Sequence, residues 1–534
     1  MAADIKSEFA DLAYDPTRKL KVVGTTPIKP DGVDKVTGRA KFGADLYPPN
    51  MLVGKILRSP HAHAYVKSID TSAAEALPGV KAVATRDDFP ELPPGAMRDA
   101  SYTCMAREKV FFHGHAVAAV AATSEKIAKK ALKLIKVEYE VLPHVIDVMD
   151  AIKPDAPILH EHARTKGMAD APDKPTNILQ RAEWAKGDVA EGFEEADLVV
   201  EREFDTRPMH QGYIEPQACV ANYTEDGQVD LWCCTQCHFV YRSRLAAILE
   251  MDISRIRVTI SELGGAFGGK TTLYAEPVAI VLSRKSNRPV KIVLTRTDVF
   301  RSTGPVAGSH SRIKIVATKD GKFTAAEAEA YYQTGPFTGS AFGNAPQAMF
   351  SRYDLENVRA WGYEVVSNRP KVTAFRAPCV PQSVFGVESV IDEIARKLNI
   401  DPIDLRLKNA ATEGYETIYG DIFGPIGFVE TLEAAKAHPH YSAPLGPNQG
   451  RGVACGFWFN RGGETTASLN ITPDGSVTLL LGNPDVAGSR GSIAMMAAEE
   501  LGIDVSKVRP IIGDTSALGY NHSTVGSRTT FSAG

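Results

Sequence analysis

Apolar and polar positions along the chain recur on two periods, and the switches between them outline its elements. Residues 51–59 (MLVGKILRS), 80–85 (VKAVAT) and 115–123 (HAVAAVAAT) are short apolar runs of strand or strand–helix length. Residues 124–143, SEKIAKKALKLIKVEYEVLP, open with Ser124 as an N-cap, carry apolar residues at helical spacing and end in the strand-like KVEYEVL. This mixture predicts an α+β domain over residues 21–150, behind a polar tail at 1–20. Residues 151–177 are rich in Pro, Lys and Asp with little periodicity, which predicts a connection. Strand and helix patterns then alternate from 178 to 410, in a second domain assigned to 178–437. A Pro-, Gly- and His-rich stretch opens a third segment, 438–534. There SLNITPDGSVTLLLGN predicts a hairpin turning at Pro473, Asp474 and Gly475. SIAMMAAEELG predicts a helix stopped by Gly502. The longest apolar runs, such as VAIVL at 278–282, have core length, well short of the roughly 20 residues that span a bilayer.

Composition narrows the function. The 534 residues carry a formal net charge of −4, without the basic footprint of a nucleic-acid or anionic-membrane binder. The N-terminus mixes charges with short apolar pieces, so no secretory leader is expected. Seven cysteines at uneven spacing (104, 219, 233, 234, 237, 379 and 455) argue against a disulfide framework and for a reducing, cytoplasmic setting. CCTQC holds one C-x-x-C, Cys234 to Cys237, followed by His238, but no second ligand pair at matching spacing. These thiols are expected to be buried or to line a pocket.

The sharpest local signal is ELGGAFGGKTTLYAEP, residues 262–277. Gly264, Gly269, Lys270 and Thr271 satisfy G-x-x-x-x-G-K-[ST], and the strand-like RIRVTIS precedes them, as a phosphate loop requires. Backbone amides freed by glycine form a nest for an anion in any case. Three features oppose a nucleotidase. Pro277 interrupts the helix that should follow Lys270 and Thr271, Asp298 is separated from the apolar run VKIVL by Thr295, Arg296 and Thr297, and Phe267 is bulky where a phosphate would sit. A loop pressed against a flat or bulky cofactor suits the sequence better; a phosphate-loop NTPase and a purely structural glycine turn are the alternatives.

Taken together, the motifs resemble the xanthine dehydrogenase/aldehyde oxidase family, the molybdenum hydroxylases. GGAFGGK resembles that family's G-G-x-F-G-G-K loop. Thr235-Gln236 is similar to its cofactor-facing glutamine segment, and AFRAPCVPQSVFGVES (374–389) to its F-R-G-x-G-x-P-Q segment with the apolar, Glu-bearing helix that follows. Residues 38–70 resemble the opening of its first domain; GDVAEGFEEADLVVEREF and YIEP resemble the start of its first cofactor-binding domain. AAEELGID, GDTSALG and GSRTTFSAG resemble the start of the second. The matches follow family order over nearly the whole chain. They imply an α+β protein: an α/β hammerhead-like domain and two mixed α/β molybdopterin-binding domains, the second incomplete in this sequence.

The resemblance also implies a cofactor and roles. Molybdenum would be held by the dithiolene of a pterin, in its cytosine dinucleotide form, with no protein ligand directly on the metal. Gln236 and Arg376 would be catalytic, Gln236 donating its amide to a metal oxygen and Arg376 near metal and substrate, where the alternative is a buried salt bridge. Phe267 and Gly268 would bring a backbone amide against the metal's oxo group, with Gly264, Gly265, Ala266 and Gly269 completing the loop. Gly526, Ser527, Arg528, Thr529 and Thr530 would take a pyrophosphate. Lys270 is either a cofactor-loop residue or a solvated or ion-paired loop end. The reaction implied is hydroxylation of an aldehyde, N-heterocycle or similarly electrophilic carbon with oxygen from water. Relatives that hydrate enones or reduce aromatic thioesters leave its direction open, and a noncatalytic cofactor carrier is the rival outside enzymology. The chain carries no C-x₄-C-x₂-C and no G-x-G-x-x-G, so iron–sulfur clusters and a flavin are expected on partner subunits.

This sequence departs from the family pattern in three places. Thr271 replaces a loop Glu that purine-oxidising members use. Pro378, Cys379 and Val380 alter the substrate wall. DVAGSRG (485–491) lacks the usual glutamine, so the cofactor contact made there is either missing or supplied by Ser489 or Arg490. The family's base glutamate lies in a later G-x-G-E segment absent from this sequence. The expectation is therefore a chain inactive alone, with an exposed apolar face on its third segment and a second molybdopterin-domain chain or a longer product supplying the base; Glu499 and Glu500 read as a solvated helix face.

Overall fold

The computed structural model describes residues 18–168, 173–459, 462–486 and 488–534. Most of the predicted N-terminal tail, residues 169–172 of the predicted connection and Ala487 of the DVAGSRG segment lie outside the described residues.

Two large sheets organise the molecule. The first has seven strands in the order Ile256–Ile260, Val229–Cys233, Ala218–Tyr223, Val290–Val293, Leu52–Arg58, Ala116–Ala122, Val80–Ala84. Leu52–Arg58 pairs in parallel with Val290–Val293, so strands from the first and second sequence segments form one continuous sheet. Ala116–Ala122 is buried at every position. A strand covered on both faces has no polar side to alternate with, which is why AVAAVAA reads as a uniform apolar run. The helix Glu125–Leu132 packs beside it and is capped as the sequence indicates, Ser124 Oγ accepting from Ile127 N at 3.3 Å. The remaining strands of the first segment, Lys109–Val110, Ala64–Asp70 and Lys136–Val141, form a separate sheet of three.

The second large sheet runs Ile178–Lys186, Asn357–Val366, Phe323–Gly335, Ser309–Ala317, Leu198–Thr206. The helix Val380–Leu398 lies across it and buries Val387, Val390, Ile391 and Ile394. On the same helix Glu388 accepts from Arg352 Nε (3.0 Å), Tyr353 OH (2.7 Å), Arg406 Nε (2.9 Å) and Cys455 N (2.9 Å), all buried or nearly so. A carboxylate this deep survives because two guanidinium groups and two further donors replace its water.

The Pro-rich residues 151–177 are a connection, but a packed one. Asn177 donates to Ala151 O and Pro157 O at 3.0 Å each and accepts from Leu159 N at 3.1 Å, and Leu159 joins a core with Val145, Val148 and Val365. A single buried asparagine thus closes a loop whose composition looks solvated.

In the third segment the predicted hairpin forms between Ala467–Ile471 and Val477–Leu481, with Gly475 at φ 77°. Val508–Ile512 extends it in parallel. The helix Ser489–Leu501 begins three residues before its sequence pattern and ends at Gly502, φ 64°. Glu499 is not a free solvated side chain: it accepts from the backbone amides of Lys21, Val22 and Val23 at 2.6–3.0 Å, fixing the described start of the chain. Leu469 and Ile471 of the small sheet remain 49% and 62% exposed on the side that buries Val477 and Leu479, whereas Ile511, 37% exposed, pairs with Leu480 on the opposite side, so these exposed apolar positions do not form the single face expected for this segment. No helix among the described residues is long and apolar enough to cross a membrane.

Candidate functional site

Strands Val229–Cys233 and Ile256–Ile260 run parallel, and their carboxyl ends release the two loops that build the site, 234–237 and 261–275. A crevice beyond the carboxyl ends of adjacent parallel strands is the usual ligand position in such sheets. Segment 371–379 and segment 523–530 close over it. Together they enclose a cavity of about 1160 Å³, at the large end for small-molecule and cofactor sites.

Gln236 is the staple. Its Oε1 accepts from Gly268 N at 2.9 Å, its Nε2 donates to Thr524 O at 2.9 Å, and its own amide N donates to Lys270 O at 3.1 Å. One side chain therefore joins the glycine loop to the third segment. The two donors expected to meet metal oxygens, the Gln236 amide and the Gly268 amide, are here spent on Thr524 and on Gln236.

Of the residues assigned to the cofactor, Gln236, Phe267, Gly268, Arg376, Gly526, Ser527, Thr529 and Thr530 line the cavity. Gly264, Gly265, Ala266, Gly269 and Arg528 do not. The glycines are there for packing. An added Cβ would stand 2.6 Å from Glu215 Cβ at Gly264 and 2.6 Å from Tyr213 Cε1 at Gly269, so the loop lies flat against the YIEP segment. Arg528 turns inward and donates to Ser523 O (3.2 Å) and Glu464 O (3.3 Å), bracing the loop it belongs to.

Lys270 decides the phosphate-loop question. It is fully buried, its Nζ 2.6 Å from Glu215 Oε2, and Glu215 also accepts from Gly43 N and Gly264 N. No helix starts at Thr271; its hydroxyl donates to Gly268 O at 2.8 Å, and the next helix, Glu276–Ser286, begins with Pro277 in its first turn, where no donor is needed. Asp298 closes a capping box with Thr295 and pairs with Arg58 at 3.0 Å. With lysine, hydroxyl and acid all committed elsewhere, the motif is not a nucleotide site.

Backbone strain concentrates here. Phe267 (φ 55°), Arg376 (31°), Ala377 (55°) and Ser527 (60°) are non-glycine residues in left-handed conformation, and all four line the cavity. Such conformations cost on the order of 1–3 kcal/mol each and persist where a site demands them. Arg376 forms no salt bridge among the described residues; its guanidinium lies 5.2 Å from the Phe267 ring centroid, and its amide N donates to Phe267 O at 3.1 Å. Ser489 lines the cavity, whereas Arg490 is held by Asp485 and Glu262 at 2.7 Å each. Cys237 also lines it; burial pushes its thiol up to about 11 and that of Cys234 up to about 12, so both stay protonated. Among the described residues no group of three or more His, Cys, Asp or Glu is placed to hold a metal ion. Sequence reasoning missed Asp99, Arg244 and Lys371 on the cavity wall; none lies in a motif.

The wall fits an anionic, metal-carrying pterin. Among the described residues, Thr529 Oγ1 is buried without a hydrogen-bond partner beside the left-handed pair Gly526 (φ 64°) and Ser527, and Arg376 offers an unpaired cation.

The same organisation is found in known proteins. Models of the molybdopterin cofactor-binding domain match residues 171–410 and 430–534, and a model of the aldehyde oxidase and xanthine dehydrogenase a/b hammerhead domain matches 37–143. A probable xanthine dehydrogenase subunit of Bacillus subtilis is 33% identical over 518 residues, 94% of this chain and 68% of that protein. The nicotinate dehydrogenase large molybdopterin subunit of Eubacterium barkeri is 31% identical over 420 residues, 78% of this chain and 96% of that subunit. Quinoline 2-oxidoreductase from Pseudomonas putida 86 superposes with TM-score 0.84 at 25% identity, covering 96% of this chain and 69% of that one. The aldehyde oxidoreductase from Desulfovibrio desulfuricans gives 0.85 at 26%, covering 95% and 58%. The chain belongs to the xanthine dehydrogenase/aldehyde oxidase family of molybdenum hydroxylases, as a molybdopterin-binding catalytic subunit of an oxidoreductase.

Proposed function

We propose that this subunit hydroxylates an aldehyde, an N-heterocycle or a similarly electrophilic carbon with oxygen from water. When bound, the molybdenum–pterin supplies the oxygen transfer and accepts the two electrons. Ser527, Thr529 and Thr530 would hold its phosphate end, and Gln236, Phe267 and Gly268 would flank its reacting end. Arg376 stabilises negative charge that develops on a substrate oxygen. The observation that carries this reading is the Gln236 staple: it brings glycine loop and third segment, the two elements expected to share one cofactor, to the same cavity.

The cytosine dinucleotide form of the pterin, iron–sulfur and flavin groups on partner subunits, and a cytoplasmic location, compatible with seven free thiols, belong to the same proposal. So does the source of the base. Asp99 is the cavity's one lining carboxylate among the described residues, and the proposal assigns proton abstraction to a second molybdopterin-domain chain or segment. The Eubacterium relative, a large molybdopterin subunit matched over 96% of its length, supports a divided arrangement. The test is metal and pterin analysis of the purified complex, with turnover of aldehydes and N-heterocycles in ¹⁸O-labelled water. Molybdenum, pterin and label in the product are expected; a complex without molybdenum, or product without label, rejects the reading.

A further inference from the structure

Part of the cavity wall carries charge outside the cofactor contacts. The helix Ala96–Cys104 contributes Asp99, the helix His238–Leu249 contributes Arg244, and the segment preceding Arg376 contributes Lys371. Lys371 is held firmly at its backbone. Val372 N donates to Thr334 O (3.0 Å), Thr373 N to Pro305 O (2.9 Å), and Thr373 Oγ1 to Gly268 O (3.3 Å), tying this segment to the cofactor loop. A Cβ on Gly335 would stand 2.6 Å from Lys371 Cα, and one on Gly339 2.5 Å from Lys371 Nζ, so glycine is what leaves the ammonium its place.

That ammonium forms no hydrogen bond and no salt bridge among the described residues. The neighbouring acids Glu364 and Asp99 act on it through their charge alone and make their hydrogen bonds elsewhere. Glu364 Oε1 accepts from Gly339 N (2.9 Å), Ser340 N (2.8 Å) and Ser340 Oγ (2.8 Å); Asp99 Oδ2 accepts from Thr338 Oγ1 at 3.4 Å. Arg244 donates from Nη1 to Thr271 O at 3.0 Å. Lys371, Arg244 and Arg376 thus face the cavity against one lining carboxylate. Burial lowers the Lys371 ammonium from its ordinary value more than the nearby charges of Glu364 and Asp99 raise it, and burial likewise raises the Asp99 carboxyl.

We propose that Lys371 anchors a carboxylate on the substrate, so that this enzyme selects carboxylated aldehydes or carboxylated N-heterocycles over neutral ones. The proposal rests on the hydroxylase reading above and names its substrate class. A compact ammonium with free donors suits a carboxylate oxygen, and its fixed backbone gives the anchor a set distance from Gly268.

The purified complex is assayed with 4-formylbenzoate and benzaldehyde and an artificial electron acceptor, as wild type, Lys371→Met and Lys371→Arg. Removing a charged hydrogen bond should raise KM for 4-formylbenzoate roughly ten- to a hundredfold in Lys371→Met. The KM for benzaldehyde and the molybdenum content should be unchanged, and Lys371→Arg should recover much of the loss. Benzoate binding, measured by calorimetry, should weaken in parallel, a readout that needs no turnover. Loss of benzoate binding in an inactive complex sustains the anchor while rejecting the hydroxylase; equal discrimination in wild type and Lys371→Met rejects the anchor while the hydroxylase stands. Loss of molybdenum and pterin in Lys371→Met overturns the proposal by assigning the lysine to the cofactor. If Lys371→Met fails to fold, Lys371→Gln takes its place under the same criteria.

Discussion

Gln236 and Lys270 stand in neighbouring segments and do different work. Gln236 is polar, buried and bonded at both ends of its amide to backbone from two segments. Its loss should leave the strands on either side intact, since they pair through their own backbones. Gln236→Ala cuts the link between the glycine loop and the third segment and is expected to lower kcat/KM by roughly a hundredfold, the scale of loss when groups around a reacting centre shift by about 1 Å. Full turnover at full molybdenum occupancy would sink the assignment. Lys270 is structural. Its ammonium is the counter-ion of Glu215, and truncating one partner of a buried pair strands the other. Lys270→Ala should cost about 3–5 kcal/mol of stability, and Lys270→Met with Glu215→Gln should recover a good part of it. Denaturation midpoints of the wild type and these two variants check this, and ATP or GTP should neither be hydrolysed by the wild type nor shift its melting.

Local elements were legible where their signals are local. Ser124 caps its helix, Gly502 stops another, and the 473–475 turn forms because the groups involved are neighbours in sequence. What pairing over long separations decides was not legible. Nothing around residue 52 announces that its strand joins Val290–Val293 in one sheet, and nothing in 151–177 shows that Asn177 will close the loop. Glu388 belongs to this scale: sequence shows a glutamate in an apolar helix, and only the fold brings Arg352, Tyr353 and Arg406 to it. Glu388→Ala leaves the Arg352 guanidinium buried without a carboxylate and Arg406 with Asp392 alone. It should destabilise the protein by about 3–5 kcal/mol, whereas Glu393→Ala, on the exposed side of the same helix and paired with Arg202 and Lys397, should cost under about 1 kcal/mol. Equal losses in a denaturant series would refute the hub.

At the scale of the molecule, motifs located the cavity and fold-dependent neighbours furnished the rest of its wall. Gln236, Phe267, Gly268 and Arg376 could be read because their segments carry recognisable patterns; Asp99, Arg244 and Lys371 sit in ordinary sequence and meet only after the hammerhead segment folds against the rest. The same burial governs the response of the whole chain to acid. His115 is fully buried, accepts at Nδ1 from Phe111 N (3.3 Å) and donates from Nε2 to Tyr102 O (2.7 Å), which fixes a neutral ring. A second proton at Nδ1 would face an N–H donor. Burial lowers His115 from 6.5 to about 4, and does the same to His238, which pairs with Gly513 O across to the third segment. In the unfolded chain both rings take up protons near 6.5, while the folded chain refuses them until about 4. Within that window the unfolded state binds more protons, so stability rises with pH and falls as pH drops. Each ring contributes at most about 1.4 kcal/mol per pH unit. Buried Glu276, whose carboxyl is raised, works in the opposite sense above its ordinary 4.5, so the total slope blends several groups. The comparison that isolates His115 is wild type against His115→Gln, whose amide keeps a donor toward Tyr102 O but does not titrate. The wild-type advantage in denaturation midpoint should be largest near neutral pH and shrink steadily toward about pH 5. An advantage that stays constant across that range would mean the ring does not titrate on unfolding as its burial requires.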